Sequence, residues 1–277
     1  MENASLDKLR KILTETARNG RFALAYSGGL DSRFLAHAAR LQGFSPLLLH
    51  VSGPHVPPEE SAFARAWATE LGLEFREIPV DPLTLPSVSR GEKDRCYECK
   101  RAMFTALSAA CDLPLCDGTN ASDSQGYRPG LRAVRELGVV SPLALAGLTK
   151  NDIHSLAEST GMSLPWQKAR PCLLTRLPYG ARPTRETLAA VAAGENAVRQ
   201  VLRQGGMPRV DFRLRLVSPD RTELHLLRSD AEAMPENIKN AMLRQAEAAM
   251  PGYPAPVLSL QDSLSGFFDR ASAYNKP

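Results

Sequence analysis

The sequence predicts an α/β protein: a doubly wound parallel sheet followed by a smaller C-terminal α+β domain. Three observations predict it. Between Phe22 and Thr160, short apolar runs alternate with amphipathic helical patterns, the order that builds a parallel sheet covered on both faces. The first strand stops at a glycine turn that opens directly into a helix, Ser27-Gly28-Gly29-Leu30-Asp31-Ser32. After a proline-rich break at Ser163–Pro183, the order changes to α-β-β-α-β. The expected domains are residues 1–177 and 178–277.

The elements follow in order. Ser5–Arg18 places Leu6, Leu9, Ile12 and Leu13 on one helical face, with Ser5 as N-cap. Phe22–Tyr26 is the first strand, and Asp31–Leu41 is the helix after the glycine turn. Pro46–Val51 is apolar on both faces, as buried parallel strands are. Pro57-Pro58-Glu59-Glu60 opens a helix with proline and acidic residues in its first turn. It carries Phe63, Trp67 and Leu71 inward and stops near Gly72. Phe75–Val80 is the third strand and Asp81–Lys93 a loop. Cys96–Ala110 is a helix and Leu113–Asp117 the fourth strand. Leu131–Leu137 and Lys150–Thr160 are helices, the second with Asp152 in its first turn and Gly161 after its end. Beyond the break, helices are expected at Pro183–Gln204 and Asp230–Ala249. Strands are expected at Val210–Val217, Thr222–Leu227 and Ala255–Leu260, and an irregular tail from Ser263.

The chain has 277 residues, 43% hydrophobic and 23% charged, which is the composition of an ordinary globular protein. No apolar run reaches the length of a membrane span. A charged helix follows Met1–Ser5 where a signal peptide would be apolar, so the cytoplasm is the expected location. Lys and Arg number 34 against 30 Asp and Glu, interspersed, so a nucleic-acid partner is not expected and an anionic small substrate suits the balance. The 5 cysteines point to thiol, metal or catalytic use rather than disulfides in that compartment.

The glycine turn carries the first chemistry. Backbone N–H groups at a helix N-terminus lack intrahelical partners and face any anion placed there. Gly28 and Gly29 let phosphates approach the main chain, and Ser27 and Ser32 add hydroxyls. Asp31 would repel phosphates unless Mg²⁺ lies between. The Gly-Lys-Ser/Thr ending of a Walker A loop is absent, and so is the third glycine of a dinucleotide fingerprint. The Ser-Gly-Gly-x-Asp-Ser pattern resembles the pyrophosphate loop (PP-loop) of the ATP pyrophosphatases. That resemblance implies cleavage of ATP between its α and β phosphates and adenylylation of a substrate oxygen.

Cysteines carry the second. Cys96-Tyr97-Glu98-Cys99 reads as a redox dithiol or as part of a metal site. Cys111 and Cys116 are not spaced to complete a zinc site and read as structural. Cys172 lies among Lys168, Arg170 and Arg176, a setting that favours its thiolate. The five histidines show no ligand spacing and read as structural or surface residues.

Taken in order, the glycine loop, Cys96-Tyr97-Glu98-Cys99-Lys100, Asp117-Gly118-Thr119-Asn120, Tyr127-Arg128-Pro129-Gly130-Leu131-Arg132 and Cys172-Leu173-Leu174-Thr175-Arg176-Leu177-Pro178-Tyr179-Gly180 resemble the LarE family. These are ATP-dependent sulfur transferases of nickel-pincer nucleotide cofactor synthesis, the cofactor of lactate racemase. The resemblance runs from about residue 20 to about 217. It implies that a carboxylate of pyridinium-3,5-biscarboxylic acid mononucleotide is adenylylated and converted to a thiocarboxylate. It implies ATP and Mg²⁺ at Ser27, Gly28, Gly29, Asp31, Ser32, Ser52, Gly118 and Thr119. It places Asp31, Cys172 and Arg176 in catalysis, and the substrate on Arg176, Glu195, Arg213 and Arg215. It offers two sulfur sources. One is a [4Fe–4S] cluster held by Cys96, Cys99 and Cys172, which is favoured because it gives the paired cysteines a role. The other is Cys172 itself, which would become dehydroalanine. A homo-oligomer is also expected. The tail departs from the family pattern: Leu260–Phe267 has no arginine where relatives carry one, which puts its role in packing or substrate binding in doubt. Two other readings compete. A tRNA-thiolating PP-loop enzyme would carry an RNA-binding module and a more basic surface. A non-catalytic nucleotide-binding regulator would have lost the loop or Cys172.

Overall fold

A computed structural model describes residues 2–125, 130–168 and 170–274. The chain forms two compact units, Met1–Leu85 with Asp94–Arg170, and Pro86–Lys93 with Pro171–Pro277. The division falls ahead of the expected 177/178 boundary. The reason is local: the 3-10 turn Leu173–Arg176 buries Leu173, Leu174 and Arg176, and Arg176 pairs with Glu195 of the second unit. Pro86–Lys93 joins the same unit, where the Gly180 N–H donates to the Gly91 carbonyl (2.8 Å). Among the described residues no helix is long and apolar enough to cross a membrane.

The first unit contains α1 (Glu2–Thr16), β1 (Ala23–Ala25), α2 (Leu30–Leu41), β2 (Leu47–Ser52), α3 (Pro58–Glu70) and β3 (Phe75–Pro79). The helical turn α4 (Pro86–Ser89), which lies in the stretch expected to be a loop, belongs to the second unit. The first unit then continues with α5 (Arg95–Ala109), β4 (Leu115–Asp117), α6 (Gly130–Glu136), α7 (Pro142–Leu145) and α8 (Lys150–Ser159). Its four strands are parallel in the order β3-β2-β1-β4. Alternate residues of the strands feed two cores. Leu24, Leu48 and Cys116 pack with Leu9, Phe34, Leu35, Trp67 and Ile153 from α1, α2, α3 and α8. Ala23, Leu47, Leu49 and Leu115 pack with Phe104, Leu107 and Val134 from α5 and α6. Each fully buried leucine contributes about 2 kcal/mol of apolar transfer, which is why these strands read as continuous apolar runs. From β1 the chain moves outward through β2 to β3, then returns to β4 on the other side of β1. The carboxyl ends of β1 and β4 therefore flank the switch point, where ligands of such sheets bind.

The second unit contains α9 (Arg185–Gln204), β5 (Phe212–Ser218), β6 (Arg221–Leu227), α10 (Arg228–Glu232), α11 (Glu236–Ala249), β7 (Val257–Gln261) and α12 (Phe267–Tyr274). Its sheet runs β5-β6-β7, antiparallel then parallel. A Cβ on Gly194 would come within 2.5 Å of Leu214 Cδ2 and 2.7 Å of Met250 Sδ, so glycine is what lets α9 lie this close. Two expectations are corrected. The helix expected at Asp230–Ala249 is broken into α10 and α11, because Pro235 has no N–H to continue the ladder and serves as N-cap of α11. The tail expected to be irregular forms α12, seated by Phe267, whose ring meets that of His225 edge-on at 4.5 Å.

Candidate phosphate and thiol sites

The loop Ser27–Ser32 sits at the carboxyl end of β1. Gly28 has φ +74°, a conformation side chains avoid, and a Cβ there would lie 2.9 Å from Ala64 Cβ. The Ser32 hydroxyl donates to the Gly29 carbonyl (3.1 Å), and the Gly29 N–H to Ser27 Oγ (3.3 Å). Across the switch point, a Cβ on Gly118 would come within 2.8 Å of the Ser32 nitrogen. Gly28 thus lets the loop pack on α3, and Gly118 lets the turn after β4 approach the first turn of α2, whose N–H groups can face an anion. Asp117, buried at the end of β4, shapes that turn by accepting from the Thr119 N–H (3.1 Å), the Thr119 hydroxyl (2.6 Å) and the Ser141 hydroxyl (2.7 Å). Burial, helped by Asp117, pushes the neighbouring Cys116 thiol up to about 12, consistent with a structural cysteine. Ser52 ends β2 half-buried on the same sheet edge. Nearby, His50 Nδ1–H donates to the Tyr26 carbonyl and Ser61 donates to His50 Nε2, both at 2.9 Å, tying β1 and β2 to α3.

Asp31, the loop carboxylate, is engaged by a residue the sequence reading passed over. Lys150 Nζ donates to both carboxylate oxygens, at 2.7 and 2.8 Å. Lys150 begins α8 directly after the N-cap Thr149, which forms a capping box with Asp152. Its own N–H donates to Ser122 Oγ (3.0 Å), so its backbone is fixed beside the turn after β4. The capping signature Thr149-x-x-Asp152 was legible and placed Lys150 at the helix start. A cation there opposes the helix dipole. That mismatch was the available signal that Lys150 has another role.

A second hub joins α2 to the segment leading toward Cys172. The Arg33 side chain is fully buried and donates to Gln167 Oε1 (2.9 Å) and to the carbonyls of Ser163 (2.8 Å) and Leu164 (2.9 Å). Phe63 and Trp67 pack against its guanidinium, and burial pulls it down to about 10. Leu164 is held at φ +52° at the same place. Arg170 pairs with Glu60 (2.6 Å).

In the second unit, Arg176, Glu195, Arg213 and Arg215 are all buried. Arg176 forms a two-pronged bond to Glu195, at 2.5 and 3.2 Å, and Glu195 also accepts from the Leu214 N–H (3.1 Å). Burial pushes the Glu195 carboxyl up, but Arg176, Leu214 and Arg213 outweigh it and hold it below the usual carboxylate range. Arg213 and Arg215 alternate on one face of β5 as the spacing predicts, and their partners across β6 are His225 and Glu223. That face is buried, not solvated. Arg213 pairs with Asp211. Arg215 donates to His225 Nδ1 (2.6 Å) and to the Leu264 carbonyl (2.5 Å), under the Phe267 ring. His225 Nε2–H in turn donates to Glu223 (2.8 Å). Burial, with Arg215 adding, pulls His225 down to about 4 against the pull of Glu223. The tail therefore does pack on this cluster. Arg270, one turn into α12, donates to the Ser263 carbonyl (3.0 Å).

Cys96 and Cys99 lie three apart in the first turn of α5, Cys96 half-buried and Cys99 buried with its Sγ 3.7 Å from Met103 Sδ. Cys172 is half-buried, and its carbonyl accepts from the Thr175 N–H (3.0 Å) and hydroxyl (2.8 Å). Of the cations flanking Cys172 in sequence, Arg170 and Arg176 are already matched by Glu60 and Glu195. Among the described residues, no three His, Cys, Asp or Glu side chains gather as a group that could hold a metal ion. Of the Tyr127–Arg132 motif, Tyr127–Pro129 lie outside the described residues, as does Ala169 beside Lys168.

No family model matches the chain. Three curated relatives do. An uncharacterised protein of Synechocystis sp. is 32% identical over 209 residues, covering 73% of this chain and 76% of its own. An uncharacterised protein of Methanocaldococcus jannaschii is 28% identical over 202 residues, 72% and 77% of the two chains. The pyridinium-3,5-bisthiocarboxylic acid mononucleotide synthase of Lactiplantibacillus plantarum is 30% identical over 200 residues, 70% and 71% of the two chains.

Proposed function

The chain belongs to the LarE family of the pyridinium-3,5-bisthiocarboxylic acid mononucleotide synthases, and on that premise we propose that it is an ATP-dependent, AMP-forming sulfur transferase acting on pyridinium-3,5-biscarboxylic acid mononucleotide. The observation that carries the reading is the glycine loop Ser27–Ser32 at the switch point, opening directly into α2 beside Gly118, with Asp31 in that helix's first turn.

In the first step a substrate carboxylate oxygen attacks the α phosphorus of ATP. The Pα–O bond to the β phosphate breaks and pyrophosphate leaves. Ser27, Gly28, Gly29 and Ser32 bind phosphate oxygens, while Ser52, Gly118 and Thr119 line the nucleotide side. Asp31 would hold Mg²⁺, which supplies charge neutralisation on the phosphates. In the second step the Cys172 thiolate attacks the acyl carbon, and AMP leaves with the former carboxylate oxygen. Loss of the Cys172 α-proton then breaks its Cβ–S bond, giving the thiocarboxylate and dehydroalanine. Arg176, with Glu195 fixing it, and Arg213 and Arg215 supply the cations for the substrate phosphate and carboxylates. Arg215 Nε is buried and has no hydrogen-bond acceptor among the described residues, which supports a binding role.

A [4Fe–4S] cluster on Cys96, Cys99 and Cys172 would supply sulfide instead and spare Cys172. Anaerobic iron counting and the mass of the spent enzyme separate the two sources. Four irons per chain with Cys172 intact is the cluster route; an iron-free active protein whose Cys172 loses H₂S is the sacrificial one. The function itself is tested by pyrophosphate release. It is expected only when ATP and the dicarboxylate mononucleotide are both present; release of ADP, or release independent of the dicarboxylate, would refute it.

A further inference from the structure

A lysine at the first position of a helix sits against the dipole, and its charge needs a reason. Lys150 occupies that position in α8 and spends its charge on Asp31, with Nζ at 2.7 and 2.8 Å from the two carboxylate oxygens. The pair is 37% and 26% exposed, so water reaches both groups. Lys150's backbone is held by Thr149, Asp152 and Ser122 independently of Asp31, and four side-chain bonds leave its ammonium free to swing. Asp31 stands in the glycine loop, where its bare carboxylate would repel a triphosphate. The ammonium and a divalent cation need the same two oxygens, so they compete for Asp31.

We propose that Lys150 is a phosphate-binding residue that guards Asp31 while the loop is empty: as the nucleotide enters with its divalent cation, the ammonium leaves the carboxylate for a phosphate oxygen and the cation takes its place. The exchange conserves charge: the ammonium passes from carboxylate to phosphate, while the metal keeps its phosphates and adds Asp31. It keeps a divalent cation from settling on Asp31 without nucleotide, so that metal and ATP arrive together. This rests on the ATP reading proposed above and adds a residue and an order of events to it.

The test uses the full-length chain and two binding measurements without turnover. The first is Mn²⁺ binding to nucleotide-free protein, followed by electron paramagnetic resonance. The second is affinity for Mg²⁺ with a non-hydrolysable α,β-methylene ATP analogue, by calorimetry. Lys150→Met should bind free Mn²⁺ about tenfold more tightly than the unaltered chain and the analogue about tenfold or more weakly, since one charge-assisted bond is exchanged in each case. Lys150→Arg should restore most of the analogue affinity and keep free Mn²⁺ binding weak. Adding Asp31→Asn to Lys150→Met should abolish the gain in Mn²⁺ binding. Unchanged Mn²⁺ and analogue affinities in a folded Lys150→Met chain would overturn the proposal and leave the ATP reading standing. If the unaltered chain binds no analogue at all, the ATP reading and this proposal fail together.

Discussion

The Lys150–Asp31 pair of the first unit and the Arg176–Glu195 pair of the second have the same chemistry and opposite settings. Lys150 and Asp31 are 37% and 26% exposed; Arg176 and Glu195 are 3% and 5% exposed. An exposed pair is worth about 0.2–1 kcal/mol, so its members can trade partners with a ligand. Removing one member of a buried pair costs about 3–5 kcal/mol, because a charge is left in a dry site. The first pair is therefore a place where ligand chemistry can happen. The second fixes where β5 and the Leu173–Arg176 turn lie and holds its arginine in the orientation Glu195 allows.

Mutation of the two carboxylates separates the two settings. Glu195→Ala should destabilise the second unit by about 3–5 kcal/mol, seen as a lower urea midpoint. A loss below about 1 kcal/mol would show that the pair is not buried in solution. Asp31→Ala should do the reverse: less than about 1 kcal/mol in stability, but a fall in pyrophosphate release of about a hundredfold or more, because charge neutralisation at the phosphates is lost. Normal release from a folded Asp31→Ala chain would remove the loop from the reaction.

A gentler probe uses pH. His225 is held near 4 in the folded chain against an ordinary 6.5, so between those values the unfolded chain binds the extra proton. Its contribution is present above about 6.5 and lost as pH falls toward about 4. His55 of the first unit, also buried and near 4, titrates with the same sign. Urea midpoints at pH 7 and pH 5 should therefore fall for the unaltered chain, and fall less for His225→Gln. Equal falls would mean that His225 is protonated in the folded cluster. The smallest effect should come from Thr149→Ala, which removes the cap of α8 and about 1 kcal/mol of stability. Rescue by Thr149→Ser should recover it; no loss at all would show that Lys150 is placed by other contacts.

Much of the parallel-sheet unit was legible. Leu47-Leu48-Leu49 and the glycine turn announce themselves through local rules, apolar runs and punctuation. The legible part of the site was likewise local: Ser27–Ser32 is one contiguous stretch. Lys150 was missed because its partner is Asp31, far back in the chain, and no spacing rule links them. Arg33 was missed for the same reason: its acceptors at Ser163, Leu164 and Gln167 are main-chain and amide groups that leave no pattern in the sequence. In the second unit, alternation correctly put Arg213 and Arg215 on one face, but alternation cannot tell a wet face from one closed by Phe267 and Leu264. The tail was expected to be irregular because chain termini commonly are, and the contact that orders α12, Phe267 on His225, leaves no local pattern.

In the proposed reaction a substrate carboxylate is adenylylated by ATP before sulfur reaches it. The most direct measurement is a single-turnover reaction with the mononucleotide labelled with ¹⁸O in both carboxylates, followed by mass spectrometry of the AMP released. One ¹⁸O atom in AMP is expected for each thiocarboxylate formed, because the displaced oxygen leaves on the phosphorus. Unlabelled AMP accompanying labelled thiocarboxylate, or ADP in place of AMP, would contradict it.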